Sequence, residues 1–450
     1  MMKKLIVFLI LSAIGINGCK DRIISPQLTA KDIGKVVDQM TETMVHDVTN
    51  PPLAARFFAY ACLAGYEVVA ENDNKTPQLY GRLNSYPHIT KPKTVSGYDY
   101  RLSAVLAMLK TAQKLQPSGS LLVKYEETLL DSCRKTGFSS SVIDSSEHYA
   151  NIISKKILAY AKADKYNRIS NYTRYQESSG EGDWKATPPS YMVPVEPYFN
   201  TIRPMTLDSA SQFLPEPPIP FSTDKRSVFY NYLQMSYAKS GKALSTEERN
   251  VANFWDCNPF AVQNDGHMLF GLKKISPGAH WMGITGLACS LSKKDFAKTM
   301  EIHTMVAISL MDSFICCWDD KYKTNRIRPE TAIRRYIDPS WKPLLQTPPF
   351  PEYISGHSVV STSSAVVLTH YFGDHFSYTD GIEVKYGVPP RHFTSFSQAA
   401  KEAAISRFWG GIHFMDAIDN GVIQGEKVGH WVLSTINGQP KPTRQPASKI

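Results

Sequence analysis

Apolar residues in this chain recur three and four apart over long stretches, and few segments alternate with period two. A chain patterned this way buries helix faces against other helices, so strands are expected to be rare. Val36, Val37, Met40 and Met44 mark a first helix. Pro51-Pro52 suits the opening turn of a second, in which Phe57, Phe58, Tyr60, Ala61, Ala64 and Gly65 run on to about Ala70. A polar loop with three prolines follows from Asn72 to Tyr98. Helical text resumes at 100–115, 120–134 and about 141–163, and then at 227–240. Ser245 and Glu248 form a capping-box pattern for a helix ending near Trp255. Ser276-Pro277-Gly278 is a turn before an apolar helix starting near His280-Trp281. Further helices are expected at 296–318, 356–372 and about 411–436. Between them, residues 170–220 are rich in Gly, Pro and Ser. They read as a packed loop pinning helices together, with a place at the wall of a site entrance. No solenoid repeat is present, which argues against a helical-repeat binding protein.

The N-terminus reads as a targeting segment. Lys3-Lys4 precede an apolar run from Leu5 to Ile14, and Gly18 leads into Cys19. The run is too short to span a bilayer. It resembles a bacterial lipoprotein signal over residues 1–18, with Cys19 as the lipidated residue and 19–26 as a tether. The expected location is therefore the periplasmic face, the outer membrane or the cell surface. No later stretch reads as a membrane span, so contact with membrane is expected through the lipid anchor only.

Of the 450 residues, 42% are hydrophobic and 20% charged, which excludes wholesale disorder. The net charge of +9 is scattered, no nucleic-acid module is visible, and nucleic acid is not an expected partner. A mildly positive surface still attracts anionic substrates. Cys62, Cys133, Cys257, Cys289, Cys316 and Cys317 show no zinc spacing and mostly sit in apolar helical text, as buried free thiols do.

Three clusters between Lys321 and Asp416 carry chemistry. They are Lys321 with Arg328-Pro329, then Ser355-Gly356-His357, then Ser406-Arg407 with His413 and Asp416. The set contains three fixed cations, two histidines, a carboxylate and a glycine at an expected helix start. A tetrahedral oxyanion, phosphate or vanadate, needs such cations. Ser355 offers a hydroxyl, and a helix beginning at Gly356 offers amides and a dipole. His413 can attack phosphorus or ligate a metal-like centre, and His357 can act as general acid. His413 and Asp416 are three apart, so on one helix Asp416 would orient the ring. Any one cluster is as readily a helix cap, a solvated pair or a buried ion pair; three in this order make accident improbable.

The order resembles the type 2 phosphatidic acid phosphatase and vanadium-dependent haloperoxidase superfamily. Its pattern is Lys-x6-Arg-Pro, Pro-Ser-Gly-His and Ser-Arg-x5-His-x3-Asp. Here Ile354 stands in place of the second motif's proline, and Asp416 comes one residue early, with Ala417 in the family's position. GDWKATPP, SPGAHW and CWDDKYKTNRIRPETAI resemble the soluble haloperoxidase branch. The resemblance implies a mainly α fold, a helical bundle with long irregular loops. It implies one domain over 27–450, with N-terminal helices at 27–165 and a motif-bearing core at about 220–437. It implies that Lys321, Arg328, Ser355, Gly356 and Arg407 bind equatorial oxygens. His413 would be the vanadium ligand or the phosphorylated nucleophile, and His357 the acid–base group. Lys321 would polarise peroxide for attack by halide, and Phe350 would stand near the halide.

Two enzymatic readings follow from the resemblance. The favoured one is a haloperoxidase with vanadate as cofactor, oxidising halide with hydrogen peroxide. The other is an acid phosphatase, needing no cofactor and acting on a phosphate ester through phospho-His413. A non-enzymatic ligand-binding lipoprotein is the third reading, and it would gain if His357 and His413 lay far apart. The oligomeric state is not legible.

Overall fold

The computed structural model describes residues 27–188, 190–239, 243–265 and 268–438, so Cys19 and the lipoprotein signal lie outside the described residues. Helices α1 (Ala30–His46), α2 (Pro51–Ala70), α3 (Tyr100–Leu115), α4 (Gly119–Thr136) and α5 (Ser140–Lys162) come first. After the irregular 170–220 region come α6 (Val228–Lys239) and α7 (Thr246–Phe254). The hairpin β1 (Val262–Asp265) and β2 (Met268–Gly271) leads to α8 (Pro277–Leu291) and α9 (Phe296–Thr324). Then follow α10 (Pro329–Tyr336), α11 (Gly356–Phe372), a second antiparallel hairpin of β3 (Tyr378–Asp380) and β4 (Arg391–Phe393), α12 (Phe396–Trp409) and α13 (Met415–Asn437). The fold is mainly helical.

Local chemistry sets the helix starts. Asn50 accepts from the Leu53 amide ahead of Pro51-Pro52 in the first turn of α2. Ser276 does the same for Ala279 ahead of Pro277, and Ser245 with Glu248 closes the capping box of α7. Gly137, at φ +103°, ends α4 in the left-handed conformation that glycine adopts without penalty.

At the centre lies α9, packed against α1, α2, α8, α11 and α13. It runs six residues beyond the expected end at Trp318, where Asp319, Asp320 and Lys321 find partners distant in sequence that polar text alone does not reveal. Both α2 and α9 are long and apolar enough to span a bilayer, contrary to the sequence expectation. Their apolar windows are buried in protein, so they are core helices of the kind that is apolar all round.

The pair α11 and α13 positions the site. On α13, Gly421, Gly425 and Gly429 face α11. A Cβ at Gly425 would lie 2.5 Å from the Val359 carbonyl oxygen, so the two backbones approach too closely for a side chain. Gly425→Ala is expected to destabilise the protein by about 2–3 kcal/mol through overpacking. Denaturant unfolding checks this, and an unchanged midpoint would refute the close approach.

The 170–220 region braces the motif segments. The Trp184 amide donates to the Asn325 carbonyl, the Val195 amide to Pro349, and the Trp318 indole and Tyr322 hydroxyl to the Val195 carbonyl. Its described residues do not line the cavity described below.

Candidate active site

Lys321 lies in the last turn of α9, and Arg328 is the N-cap of α10. Ser355 caps α11, accepting from the Ser358 amide, and thereby fixes Gly356 and His357 in the first turn. Arg407 lies in the last turn of α12. The chain then turns through Gly410 and Gly411, the latter at φ +76°, and presents His413 before α13 begins at Met415.

Gly356, His357, Arg407 and His413 line one small cavity, with Trp318, Pro348 and Phe350 as an apolar wall. Both histidines thus face the same space, which counts against the non-enzymatic reading. Lys321, Arg328 and Ser355 are not among its lining residues. Lys321 Nζ donates to the carbonyls of Pro351 (3.0 Å), Glu352 (3.0 Å) and Ile354 (2.6 Å). An ammonium has three protons, so each is committed, and reaching an anion requires exchanging one of these bonds. Arg328 donates from Nε to Phe350 O, from Nη2 to Pro351 O, and from Nη1 to both Ile412 O and His413 Nε2, the last at 3.1 Å. Arg407 donates to the Trp255 carbonyl, but its Nε finds no partner, and neither does His357 Nε2.

The ring of His413 is held by Glu352 and not by Asp416. His413 Nδ1 lies 2.9 Å from Glu352 Oε1, which also accepts from the Phe414 amide. That carboxylate places the ring proton on Nδ1 and leaves the Nε2 lone pair toward Arg328 and the cavity. Asp416 sits in the first turn of α13 while His413 precedes the helix, so the three-apart spacing does not bring them together. Asp416 instead pairs with Arg326 at 2.7 Å and accepts from the Ile219 amide. Arg326 also lies 3.4 Å from Glu352 Oε2, so it links the two carboxylates. Glu352 was missed because it lies outside the three clusters, and Arg326 because it falls in the unspecified gap of the first. The signal available was a lone glutamate in the apolar string FPEYI.

Burial, then the charges of Arg328, Lys321 and Arg407, hold His413 well below the usual histidine range, so the ring is neutral. Burial and Arg407 do the same to His357. Burial pushes Lys321 down to about 7 and Arg328 to about 9, and pushes Glu352 up to about 7, with Arg326 opposing. Three enclosed cations around a neutral imidazole are an environment that an anion would relieve. A Cβ at Gly356 would meet only Trp318 and Cys317, at 3.8 and 4.0 Å, so packing alone does not demand glycine there. A ligand seated on the first turn of α11 would. The orphaned Arg407 Nε and His357 Nε2 supply donors or acceptors for it, and the residues fit an oxyanion.

A family model for the second helical-bundle domain of VCPO matches residues 301–440, a span that includes all three clusters. Comparison with curated proteins returns no match. Among solved structures, a bacterial vanadium-dependent iodoperoxidase is similar at 42% identity and a TM-score of 0.86, over 91% of this chain and 97% of its own. The chain belongs to the vanadium-dependent haloperoxidase family. A bacterial vanadium-dependent chloroperoxidase in its holo form is similar at 16% identity and a TM-score of 0.61, over 91% of this chain and 96% of its own. An apo-type structure of a bacterial vanadium-dependent chloroperoxidase gives 16% and 0.63, over 87% and 96%. These two bear on the fold alone. Membership of the family makes this chain an enzyme of the haloperoxidase and type 2 phosphatase superfamily.

Proposed function

We propose that this enzyme holds vanadate in the cavity between α11, α12 and the turn before α13, and oxidises halide with hydrogen peroxide. Iodide is the first halide to test, because the 42%-identical relative is an iodoperoxidase. The observation that carries the reading is His413, oriented by Glu352 through Nδ1, with its Nε2 toward the buried Arg328 guanidinium. When bound, vanadate supplies the centre that activates peroxide for attack by halide. Arg328 and Arg407 balance the oxyanion's charge, and the first turn of α11 adds its dipole. His357 Nε2, unpartnered and held neutral, is placed to take up a proton from peroxide. Trp318 and Phe350, ring centroids 4.9 Å apart, give a weakly hydrated halide an apolar approach. Purified protein is assayed for iodide and bromide oxidation with vanadate and peroxide, and for phosphate-ester hydrolysis without vanadate. Hydrolysis alone would favour the phosphatase reading, and neither activity would overturn both.

The pH dependence of binding follows from Lys321. In the unfolded chain its amine stays protonated to the ordinary lysine range, whereas in the folded, anion-free protein it loses its proton near 7. Between these values the unfolded state binds more protons, so the stability of the anion-free protein rises with pH across that window. A bound oxyanion favours the ammonium form. Vanadate affinity is therefore expected to fall above about pH 7, by at most about tenfold per pH unit for one proton. Glu352 gains its charge in the same range and acts in the same direction. Titration calorimetry from pH 6 to 9, corrected for vanadate's own ionisation, reads the slope. A flat profile would show that Lys321 is not coupled to the anion.

A further inference from the structure

Beside the oxyanion cavity, three segments distant in sequence meet at one buried point. Cys257 lies in the turn after α7, His280 in the first turn of α8, and Glu383 in the turn after β3. We propose that Cys257 Sγ, His280 Nδ1 and Glu383 Oε1 bind a divalent cation of the zinc class. Sγ lies 3.4 Å from Nδ1 and 3.3 Å from Oε1, and Nδ1 lies 3.1 Å from Oε1. Zinc bonds of about 2.0–2.3 Å at tetrahedral angles separate their ligands by about 3.3–3.5 Å, so the triangle is close to one face of that tetrahedron. Thiolate, imidazole and carboxylate are all zinc donors.

The surroundings match such a site. Asp380 Oδ2 lies 2.8 Å from His280 Nε2, a partner that puts the ring proton there and turns the Nδ1 lone pair toward the sulfur and the carboxylate. All four side chains are buried. Among the described residues neither Asp380 nor Glu383 pairs with lysine or arginine; the ion partner of each is His280. Trp255 stacks on the His280 ring at 4.9 Å and so fixes its plane. No fourth side-chain donor joins the triangle among the described residues, which leaves the last position to water. The cation would tie α8 to the second hairpin and to the turn that carries the Trp255 carbonyl, the acceptor from Arg407. Cys257 also lines the oxyanion cavity, so the clamp stands in its wall.

The test uses the full chain, purified without a metal-affinity tag and without chelator. Plasma mass spectrometry is expected to find about one zinc per chain, because a buried Cys/His/carboxylate site retains its ion. Cys257→Ser and Glu383→Gln should each reduce that at least about tenfold. Cobalt substituted into the wild type should give a sulfur-to-cobalt charge-transfer band that Cys257→Ser abolishes. Because the wild-type band needs no variant, misfolding of a variant leaves the test intact. Shared protons are the competing occupant, with an imidazolium between two carboxylates and the thiol on Glu383. No zinc after dialysis against zinc and no cobalt–sulfur band would assign the cluster to protons and overturn the proposal, and so would zinc retained in full by Cys257→Ser.

Discussion

His413→Ala is expected to leave a folded protein that no longer retains vanadate, with halide oxidation reduced at least about a thousandfold, the scale on which loss of a central catalytic group is felt. The ring does two things that no neighbour can take over. Its Nδ1 engages Glu352, and its Nε2 faces the cavity beside Arg328. Truncation leaves Glu352 Oε1 with the Phe414 amide as its remaining partner, a stability cost of about 1–3 kcal/mol. Equilibrium dialysis against vanadate and the peroxide-dependent iodide assay read the first effect, and thermal unfolding reads the second. Retention of vanadate at wild-type affinity would remove His413 from the centre of the site.

The second large effect separates Glu352, which holds the His413 ring, from Asp416, to which the sequence spacing assigned that role. Glu352→Gln is expected to weaken vanadate binding by about 10–100-fold, because the amide orients the ring with less charge and an uncertain tautomer. Asp416→Asn is expected to leave binding within a few-fold. It should instead cost about 3 kcal/mol of stability, since Arg326 loses the carboxylate 2.7 Å away and keeps only Glu352 at 3.4 Å. Parallel binding isotherms and denaturant melts of the two variants test the split. The reverse pattern would restore Asp416 to the histidine.

Much of the helical frame was legible because local chemistry wrote it. Ser245 caps α7 as its capping-box pattern predicts, Pro51-Pro52 open α2, and α11 begins at Gly356 as expected, whereas α8 begins at Pro277, three residues before its expected start near His280. The three clusters were legible because charged residues fell at fixed intervals around a glycine and two histidines. What failed depended on contacts distant in sequence. The end of α9 looked polar, yet Asp320 is held by Gln424 and Lys321 by three carbonyls from 351–354. His413 looked helical, but the turn at Gly410-Gly411 delays α13 until Met415. Glu352 carried no spacing cue, since its bond to His413 spans sixty-one residues. The Cys257, His280 and Glu383 cluster escaped for the same reason, because spacing rules find ligands only within one segment.

The placement of Lys321 has a consequence for how the protein comes apart. Amide hydrogens exchange slowest in segments that open only on global unfolding, and these are the segments with the most buried surroundings. Every residue of α9 from Thr299 to Lys321 is buried, so its final turns belong to that slowest class. The lysine at its end grips the strand of chain that carries Glu352. The anion pocket is thereby fastened to the last part of the molecule to let go, and partial opening elsewhere, in surface loops or hairpins, leaves its cationic wall standing.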